Sequence, residues 1–483
     1  MNPLAVLDQR YVWHPFTQMR DWINREPLVI VEGQGSVLRD ARGREYLDAN
    51  SSIWTNLHGH NHPKINRAIH RQLKKIAHSS ALGLANEPAS RLAEKLITAA
   101  NFQSDPASRI THHSSRNSQH ATRSAPLTKV FFSDDGSTAI EVALKLAYEY
   151  TRRNGRSKKQ VFLSLNGAYH GDTVGAVAIG HIAMFHNAYS GLLFKTDKVM
   201  APYCYRCPYN RAKPQRSDAR EYRKCNWECV DNLEEKFSKQ KKRGNSYAAF
   251  VVEPLIQGAA GMIPQPPGWL KRAAEISSGH GTLLISDEVM TGFGRTGNPP
   301  RLFACQNEDV KPDLMVVAKG LTGGYLPMAA TLTTQRIFDA FFGEYHEFKT
   351  FFHGHSYTAN QLGAAAALAN LEILQSSASI RTRRSLENTL QQELKVLWTL
   401  PNVGDIRQVG LIAGIELVKN WRTRKPFDLR ERAGIRVCEE MAKRGVLTRP
   451  IGNVIVLMPP YCTTREQLKQ MVSALREAIL EAL

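Results

Sequence analysis

Four short apolar runs in this chain stop on residues that could do chemistry together. TKVFFS (128–133) leads into Asp134-Asp135-Gly136-Ser137 and then the amphipathic stretch TAIEVALKLAYEYTRR. VFLSL (161–165) runs into NGAYHGDT, which carries Tyr169 and His170. TLLIS (282–286) is followed by Asp287, Glu288 and Val289. LMVVA (314–318) is followed by Lys319 and Gly320, with Gly323-Gly324 close behind. A lysine at the end of an apolar strand loses solvation, which lowers its pKa and frees the amine to attack an aldehyde as a Schiff base. A carboxylate in the same setting is costly without a cationic partner, and a protonated pyridine nitrogen is one. An aromatic ring such as Tyr169 can stack on a planar ring. Gly136-Ser137 at a helix start offers backbone N–H groups and the positive end of the helix dipole to a phosphate. Taken singly, each has a plainer reading: Asp135 or Ser137 as an ordinary N-cap, Asp287 as a structural acid, Lys319 as a surface lysine. Their joint order is what points to pyridoxal phosphate.

The elements that must position these residues alternate between strand and helix patterns, the mark of an α/β protein with a mostly parallel sheet. AAFVVE (248–253) supplies a further strand. In such sheets ligands gather at the carboxyl ends of the strands, where these side chains fall. Residues 60–350 are expected to form a large cofactor-binding domain, with 1–59 and 351–483 forming a smaller α+β domain. Two stretches interrupt the order. Residues 104–126 are rich in Ser, His and Arg and are expected to be a flexible surface loop; residues 203–245 are expected to be a charged excursion bearing four cysteines.

The 483 residues are 42% hydrophobic and 22% charged, ordinary for a globular protein. No apolar run reaches the ~18 residues of a membrane span, and the N-terminal stretch lacks a secretory pattern, so a cytoplasmic enzyme without membrane partners is expected. The formal charge of +19 raises nucleic acid as a partner. Much of that charge falls in Arg206–Lys224 and at Lys239, Lys241, Lys242 and Arg243, with no aromatic stacking pattern beside it. A solvated surface, not nucleic-acid binding, is expected there.

The pieces SDDGSTAIEVALK, AYHGDT, EPLIQGAAGM, SDEVMTGFGRTG and PDLMVVAKGLTGGYLP resemble the class III aminotransferases, which are pyridoxal-phosphate enzymes of fold type I. Within that class WHPFTQM (13–19), SSIWTNLHGHNHP (51–63), FFHGHSYTANQ (351–361) and LTRPIGNVIVLMPPY (447–461) are most similar to the 7,8-diaminopelargonate synthases of biotin synthesis. The resemblance covers nearly the whole chain apart from 104–126 and much of 203–245. It implies a large domain with a mostly parallel seven-stranded sheet and a homodimer with shared active sites. It also implies an activity that aminates 8-amino-7-oxononanoate. By position it makes Lys319 the Schiff-base residue and general base, Asp287 the partner of the pyridine nitrogen, and Tyr169 the ring-stacking residue. Gly136 and Ser137 would hold the phosphate, with His355 and Ser356 reaching it from the neighbouring subunit. Trp54, Tyr169, Lys319, Gly354, Arg449 and Phe16 would line the substrate site. Arg449 suits a substrate carboxylate, since a guanidinium grips one bidentately; its plainer reading is a surface ion pair, and that of Trp54 is core packing.

Two positions depart from the common pattern. Phe16 stands where many members carry tyrosine, and His355-Ser356 where many carry Pro-Thr. Both features, with Gly-Tyr-Leu-Pro at 324–327, resemble members that use lysine instead of S-adenosylmethionine as amino donor. Another class III ω-aminotransferase with a different acceptor is the alternative activity; a binding protein that kept only the fold is disfavoured by intact Lys319 and Asp287. Seven cysteines in a cytoplasmic enzyme argue against disulfides. Cys204, Cys207, Cys225 and Cys229 nevertheless fall as C-x2-C-x17-C-x3-C, close to a zinc-ribbon spacing. Cysteines of the CYRCP kind also occur in class III enzymes without a catalytic need. Both readings stay open, and no metal is assigned to the active site.

Overall fold

The computed structural model describes residues 2–102, 125–155 and 161–483. Seven strands form the central sheet: β1 (Leu127–Ser133), β2 (Val161–Leu165), β3 (Asp197–Val199), β4 (Tyr247–Val252), β5 (Leu283–Asp287), β6 (Leu314–Val317) and β7 (Ala329–Thr334). Their spatial order is β1-β7-β6-β5-β4-β2-β3. All neighbouring pairs are parallel except the two that β7 makes with β6 and β1. Every residue of β4, β5, β6 and β7 is buried. That explains why β4, β5 and β6 read as continuous apolar runs without alternation: both faces of a parallel sheet are covered by helices.

Helix α1 (Gly136–Arg153) covers one face with Ile140, Val142, Ala143, Leu146 and Ala147. The other face packs on Trp269, Leu270 and Ala273 of α2 (Trp269–Gly279) and on Leu233 and Phe237 of the helix Glu228–Lys242. The chain ends interleave. Strands 30–34, 37–40 and 45–48 form a small sheet whose fourth strand is Val446–Leu447, paired parallel to Glu45–Asp48. A further antiparallel sheet is built from Val403–Val409, Ile412–Asn420, Val454–Leu457 and two short strands.

Two expectations need adjusting. The strand before Lys319 was expected to run to the lysine, but β6 ends at Val317, and Lys319 opens a short 3-10 turn through Thr322. Pairing with β5 stops at Asp287–Val316, so beyond it the backbone can turn and aim the lysine out of the sheet. The basic excursion is also less solvated than expected. Arg216 donates to the carbonyls of Trp398, Leu400 and Val403 at 2.5–2.6 Å. Arg220 donates to Asp218 and to the Gln408 carbonyl, and Arg206 Nε to Glu416 at 2.7 Å. Part of the positive charge therefore docks residues 203–222 onto the strands at 403–420. The stretch 104–126 lies outside the described residues except at its last two positions.

At the centre of that docking, Arg407 is fully buried. It meets Asp405 at 3.2 Å, Glu416 at 2.8 Å and the Tyr203 hydroxyl at 2.7 Å. Removing one partner of a buried ion network leaves the others charged and unsolvated. Arg407→Met is therefore expected to destabilise the protein by about 3–5 kcal/mol, seen as a lower urea midpoint for the excursion and its sheet; an unchanged midpoint would refute it.

Candidate active site

The carboxyl ends of the parallel strands open on one cavity of about 470 Å³. Its wall brings together Trp54, Asp134, Asp135, Gly136, Ser137, Tyr169, His170, Glu253, Asp287, Val289, Met290 and Lys319. Apart from Trp54, they come from the ends of β1, β2, β4, β5 and β6 or the turns just beyond them. The sequence-derived set Gly136, Ser137, Tyr169, Asp287 and Lys319 is thus assembled in one place.

One corner of the cavity is the start of α1. Asp135 caps it: its carboxylate accepts the Thr138 N–H at 3.0 Å, and the Thr138 hydroxyl receives the Asp135 N–H. The capping role expected as the plainer reading is real, and it belongs to Asp135. The N–H groups of Gly136 and Ser137 still have no acceptor within the helix, since first-turn donors never do. Close packing keeps the corner small. Gly171 has φ +127°, and a Cβ there would lie 2.1 Å from Ser137 Oγ.

The acidic residues at the end of β5 part company. Asp287 faces the cavity, with Oδ2 2.7 Å from His170 Nδ1 and Oδ1 accepting the Val289 N–H at 3.0 Å. Glu288 turns the other way. It accepts from the Thr291 hydroxyl and from the N–H groups of Ala304 and Cys305, fixing a turn behind the site. Lys319 is half-buried, and its ammonium lies 5.5 Å from the Trp54 ring centroid. Desolvation lowers its pKa, against the pull of Asp287, Glu253 and Asp172 upward. An amine shifted that way is nucleophilic at lower pH than an exposed lysine.

Glu253 was missed as a site residue, although it stands in the quoted EPLIQGAAGM piece. It is buried at the end of β4, its two oxygens accepting the N–H groups of Tyr169 (3.2 Å) and Gly258 (2.7 Å). Burial, with Asp287 nearby, raises its pKa to about 7, although His170 opposes this. Glu253 thereby pins the Tyr169 backbone, while the Tyr169 hydroxyl donates to Asp172 at 2.7 Å. Phe185 packs edge-on to Tyr169, and Phe16 edge-on to Phe185, with centroids 6.2 and 5.3 Å apart.

Trp54 reaches the cavity on a strained turn. Ser51, Ser52, Ile53 and Trp54 all have positive φ, between 48° and 70°. Side chains disfavour that region by roughly 1–2 kcal/mol per residue, so other contacts must hold it. Asp48 does much of this: its carboxylate accepts from the N–H groups of Asn50 and Ser52, from the Ser52 hydroxyl and from His60. The Trp54 indole donates to Asn50 at 2.8 Å. Gly324, φ +88°, backs the same turn: a Cβ there would lie 2.8 Å from Asn56 Cα.

Other expected residues do not line this cavity. Phe16 is 60% exposed. Gly354, Ser356 and Arg449 are exposed and His355 half-buried, with His355 Nδ1 3.6 Å from Asp134. Gly354 and Ser356 sit beside the exposed aromatics Phe348 (65%), Phe352 (72%) and Tyr357 (62%). No helix among the described residues is long and apolar enough to cross a membrane.

The aminotransferase class-III family model matches residues 19–479. Proteins named adenosylmethionine-8-amino-7-oxononanoate aminotransferase are similar over nearly full length. That of Anoxybacillus flavithermus is 46% identical, covering 100% of this chain and 97% of its own; that of Geobacter sulfurreducens is 45% identical, covering 98% and 96%. Among solved structures, the enzyme of that name from Methanocaldococcus jannaschii superposes with a TM-score of 0.86 at 39% identity, covering 99% of both chains. The omega transaminase of Pseudomonas jessenii in complex with PMP superposes with a TM-score of 0.85 at 25% identity, covering 99% and 98%.

The Asp48 contacts carry a pH signature. Burial raises its pKa, but the hydrogen bonds from His60 and Ser52 outweigh this and leave it below the ordinary 3.8. Its stabilisation is therefore complete above that value and disappears as pH falls through the lower folded value. Asp48→Asn is expected to cost about 1–3 kcal/mol at neutral pH, with the gap to wild type narrowing as the pH is lowered below 3.8. Urea unfolding across that range checks it, and a pH-independent gap would remove the carboxylate from this role.

Proposed function

This chain belongs to the class III aminotransferase family, and from that premise we propose that it transfers an amino group to 8-amino-7-oxononanoate, giving 7,8-diaminononanoate in biotin synthesis. The observation that carries the reading is the convergence of Lys319, Asp287, Tyr169 and the start of α1 on one cavity. The names of the relatives supply the acceptor. Pyridoxal phosphate fits that set: a buried amine for its aldehyde, a fixed carboxylate for its pyridine nitrogen, and a helix start for its phosphate. When bound, it supplies the electron sink for breaking a bond at the amino carbon.

The protein's own residues do the rest. Lys319 Nζ is the nucleophile toward the aldehyde and afterwards carries a proton between neighbouring carbons. Asp287, held at both oxygens, stays oriented to keep a pyridine nitrogen protonated. Gly136 and Ser137 accept the phosphate through N–H groups and a hydroxyl, and Tyr169 stacks on the ring. Trp54 walls the acceptor's aliphatic chain; Phe16, Gly354 and Arg449, which stand outside the cavity wall, are assigned to the substrate by the resemblance alone, Arg449 as the guanidinium for its carboxylate. The donor is S-adenosylmethionine, which the relatives' names carry, or lysine, whose users Phe16 and His355-Ser356 resemble.

We place this enzyme in the cytoplasm as a homodimer in which His355 and Ser356 complete the partner's phosphate site. Residues 60–350 form the large domain in this proposal, and 1–59 with 351–483 the small one; the pairing of Val446–Leu447 with Glu45–Asp48 supports the latter grouping. The exposed aromatics around 348–357 support the dimer, since apolar patches of that kind mark interfaces. Changing Phe348 and Phe352 to Asp is expected to yield monomers in sedimentation that lose cofactor on dialysis. A variant that stays dimeric would exclude this surface.

Lys319→Ala is expected to fold but lose turnover by at least ~10⁴-fold, as removing a combined nucleophile and proton carrier does. Asp287→Asn is expected to keep bound cofactor and slow single turnover by ~10²-fold or more. Near wild-type rates in either variant would overturn the corresponding role. The activity itself is tested by assaying purified enzyme with 8-amino-7-oxononanoate and each donor. Loss of the cofactor's visible absorbance on mixing with one donor identifies it, and no product with either donor would move the reading to another ω-aminotransferase acceptor.

A further inference from the structure

The helix Gln361–Leu374 is built mostly from alanine and leucine, yet Asn370 sits fully buried on it. A side-chain amide placed there is costly unless its polar atoms find partners. They do, and every partner belongs to the frame of the active site. The amide nitrogen donates to the carbonyls of Gly320 at 2.9 Å and Leu321 at 2.8 Å. The amide oxygen lies 2.8 Å from Nε2 of His58, a residue only 5% exposed. Neither Asn370 nor His58 lines the cavity.

Gly320 and Leu321 stand in the turn that carries Lys319. Lys319–Thr322 is a single 3-10 turn with no side-chain cap at its start. Within it the Leu321 N–H donates to the Ala318 carbonyl and the Gly323 N–H to that of Gly320. So short a turn does not hold its own torsions against chain entropy. Outside contacts therefore decide where Lys319 points. Asn370 supplies two of them from behind the site. Leu57 supplies another, its N–H donating to the Gly323 carbonyl at 3.3 Å. Gly320 is also boxed in, since a Cβ there would lie 3.0 Å from Phe293 and 3.2 Å from Leu57.

Building on the role proposed for Lys319, we infer that Asn370, oriented by His58, is a positioning residue that aims the lysine amine at the cofactor's aldehyde. The same pair ties the Lys319 turn to the Trp54 turn, because His58 follows Trp54 by four residues and adjoins Leu57. With both N–H groups of Asn370 directed at carbonyls, its oxygen must face the His58 ring. That assigns the proton to His58 Nε2. Burial pushes the His58 pKa down to about 3 despite the Asn370 hydrogen bond, and His62, Arg383 and Arg295 add to the push. The ring is therefore neutral, and a single tautomer, throughout the neutral range. Turning the amide over would set its oxygen against two carbonyls and its N–H groups against a donor. Two walls of the site that share no strand are thus locked to one another through one amide.

The test follows capture of pyridoxal phosphate by Lys319 itself. Apoenzyme is mixed with the cofactor and quenched with borohydride at timed intervals, and the modified Lys319 peptide is quantified by mass spectrometry. Asn370→Leu, which keeps the branched shape, is expected to fold with the wild-type circular dichroism spectrum and to capture the cofactor ~10-fold or more slowly. His58→Gln keeps an N–H where Nε2 stands and is expected to capture at close to the wild-type rate. His58→Leu is expected to be slowed as Asn370→Leu is. Pyridoxine 5'-phosphate, which lacks the aldehyde, should bind wild type and Asn370→Leu alike. Unslowed capture by folded Asn370→Leu overturns the inference, as does pyridoxine phosphate binding weakened in proportion to capture. Equal rates for the two His58 variants overturn it as well, even where Asn370→Leu fails to fold. Wild-type enzyme never labelled at Lys319 overturns the Lys319 role and this inference with it. Capture needs neither donor nor acceptor, so the comparison holds whichever keto acid the enzyme aminates.

Discussion

A lysine amine set into an apolar wall has to be reconciled with burial, and much of this structure follows from how that is done. Lys319 loses solvation and so favours the neutral form, yet Asp287, Glu253 and Asp172 pull it back toward the charged one. An amine between those opposing effects can alternate between nucleophile and proton carrier. The carboxylates in turn need fixed partners. Asp287 has His170 and the Val289 N–H, while Glu253 has two backbone donors. Placing so many polar groups in one apolar setting is feasible only where strands stop and their neighbours' N–H groups become available. The carboxyl edge of a parallel sheet is such a place.

The walls of the site are held by unlike means. The floor rests on strand ends whose register is set by buried apolar packing. The Trp54 side rests on four consecutive residues with positive φ, which local hydrogen bonding to Asp48 and the backbone approach of Gly324 keep in place. A turn built from costly torsions cannot relax without losing those bonds, so Trp54 presents one orientation to whatever enters. Strain of this sort is common where a side chain must be aimed.

Away from the site, the 203–245 excursion shows how a charged, cysteine-bearing segment can be an ordered part of the fold. Arg206, Arg216 and Arg220 satisfy carbonyls and carboxylates of the strands at 403–420, and Arg407 centres a buried network beneath them. The expectation of a solvated surface holds at Lys239, Lys241, Lys242 and Arg243, which are exposed, and fails at Arg216 and Arg220, because charge counts carry no information about partners nearly two hundred residues away.

The amino-acid sequence determined a good deal unaided. Apolar runs ending in Lys319, Asp287 and Tyr169 specified buried strands and polar ends, because continuous hydrophobic stretches of that length can be satisfied only inside a covered sheet. An N-cap at Asp135 or Ser137 was also readable locally, and the structure decided for Asp135, paired with Thr138. What only tertiary structure decided was direction and company. Asp287 and Glu288 are adjacent, yet one lines the cavity and the other braces a turn, since successive residues at a strand end point to opposite sides. Glu253 became a site residue only once β4 lay beside β5 and β2. Phe16, Arg449 and the segment around His355 lie outside the cavity wall that their motif neighbours form. Spacing along a chain fixes which face a residue can occupy, but packing between distant elements fixes what it meets there.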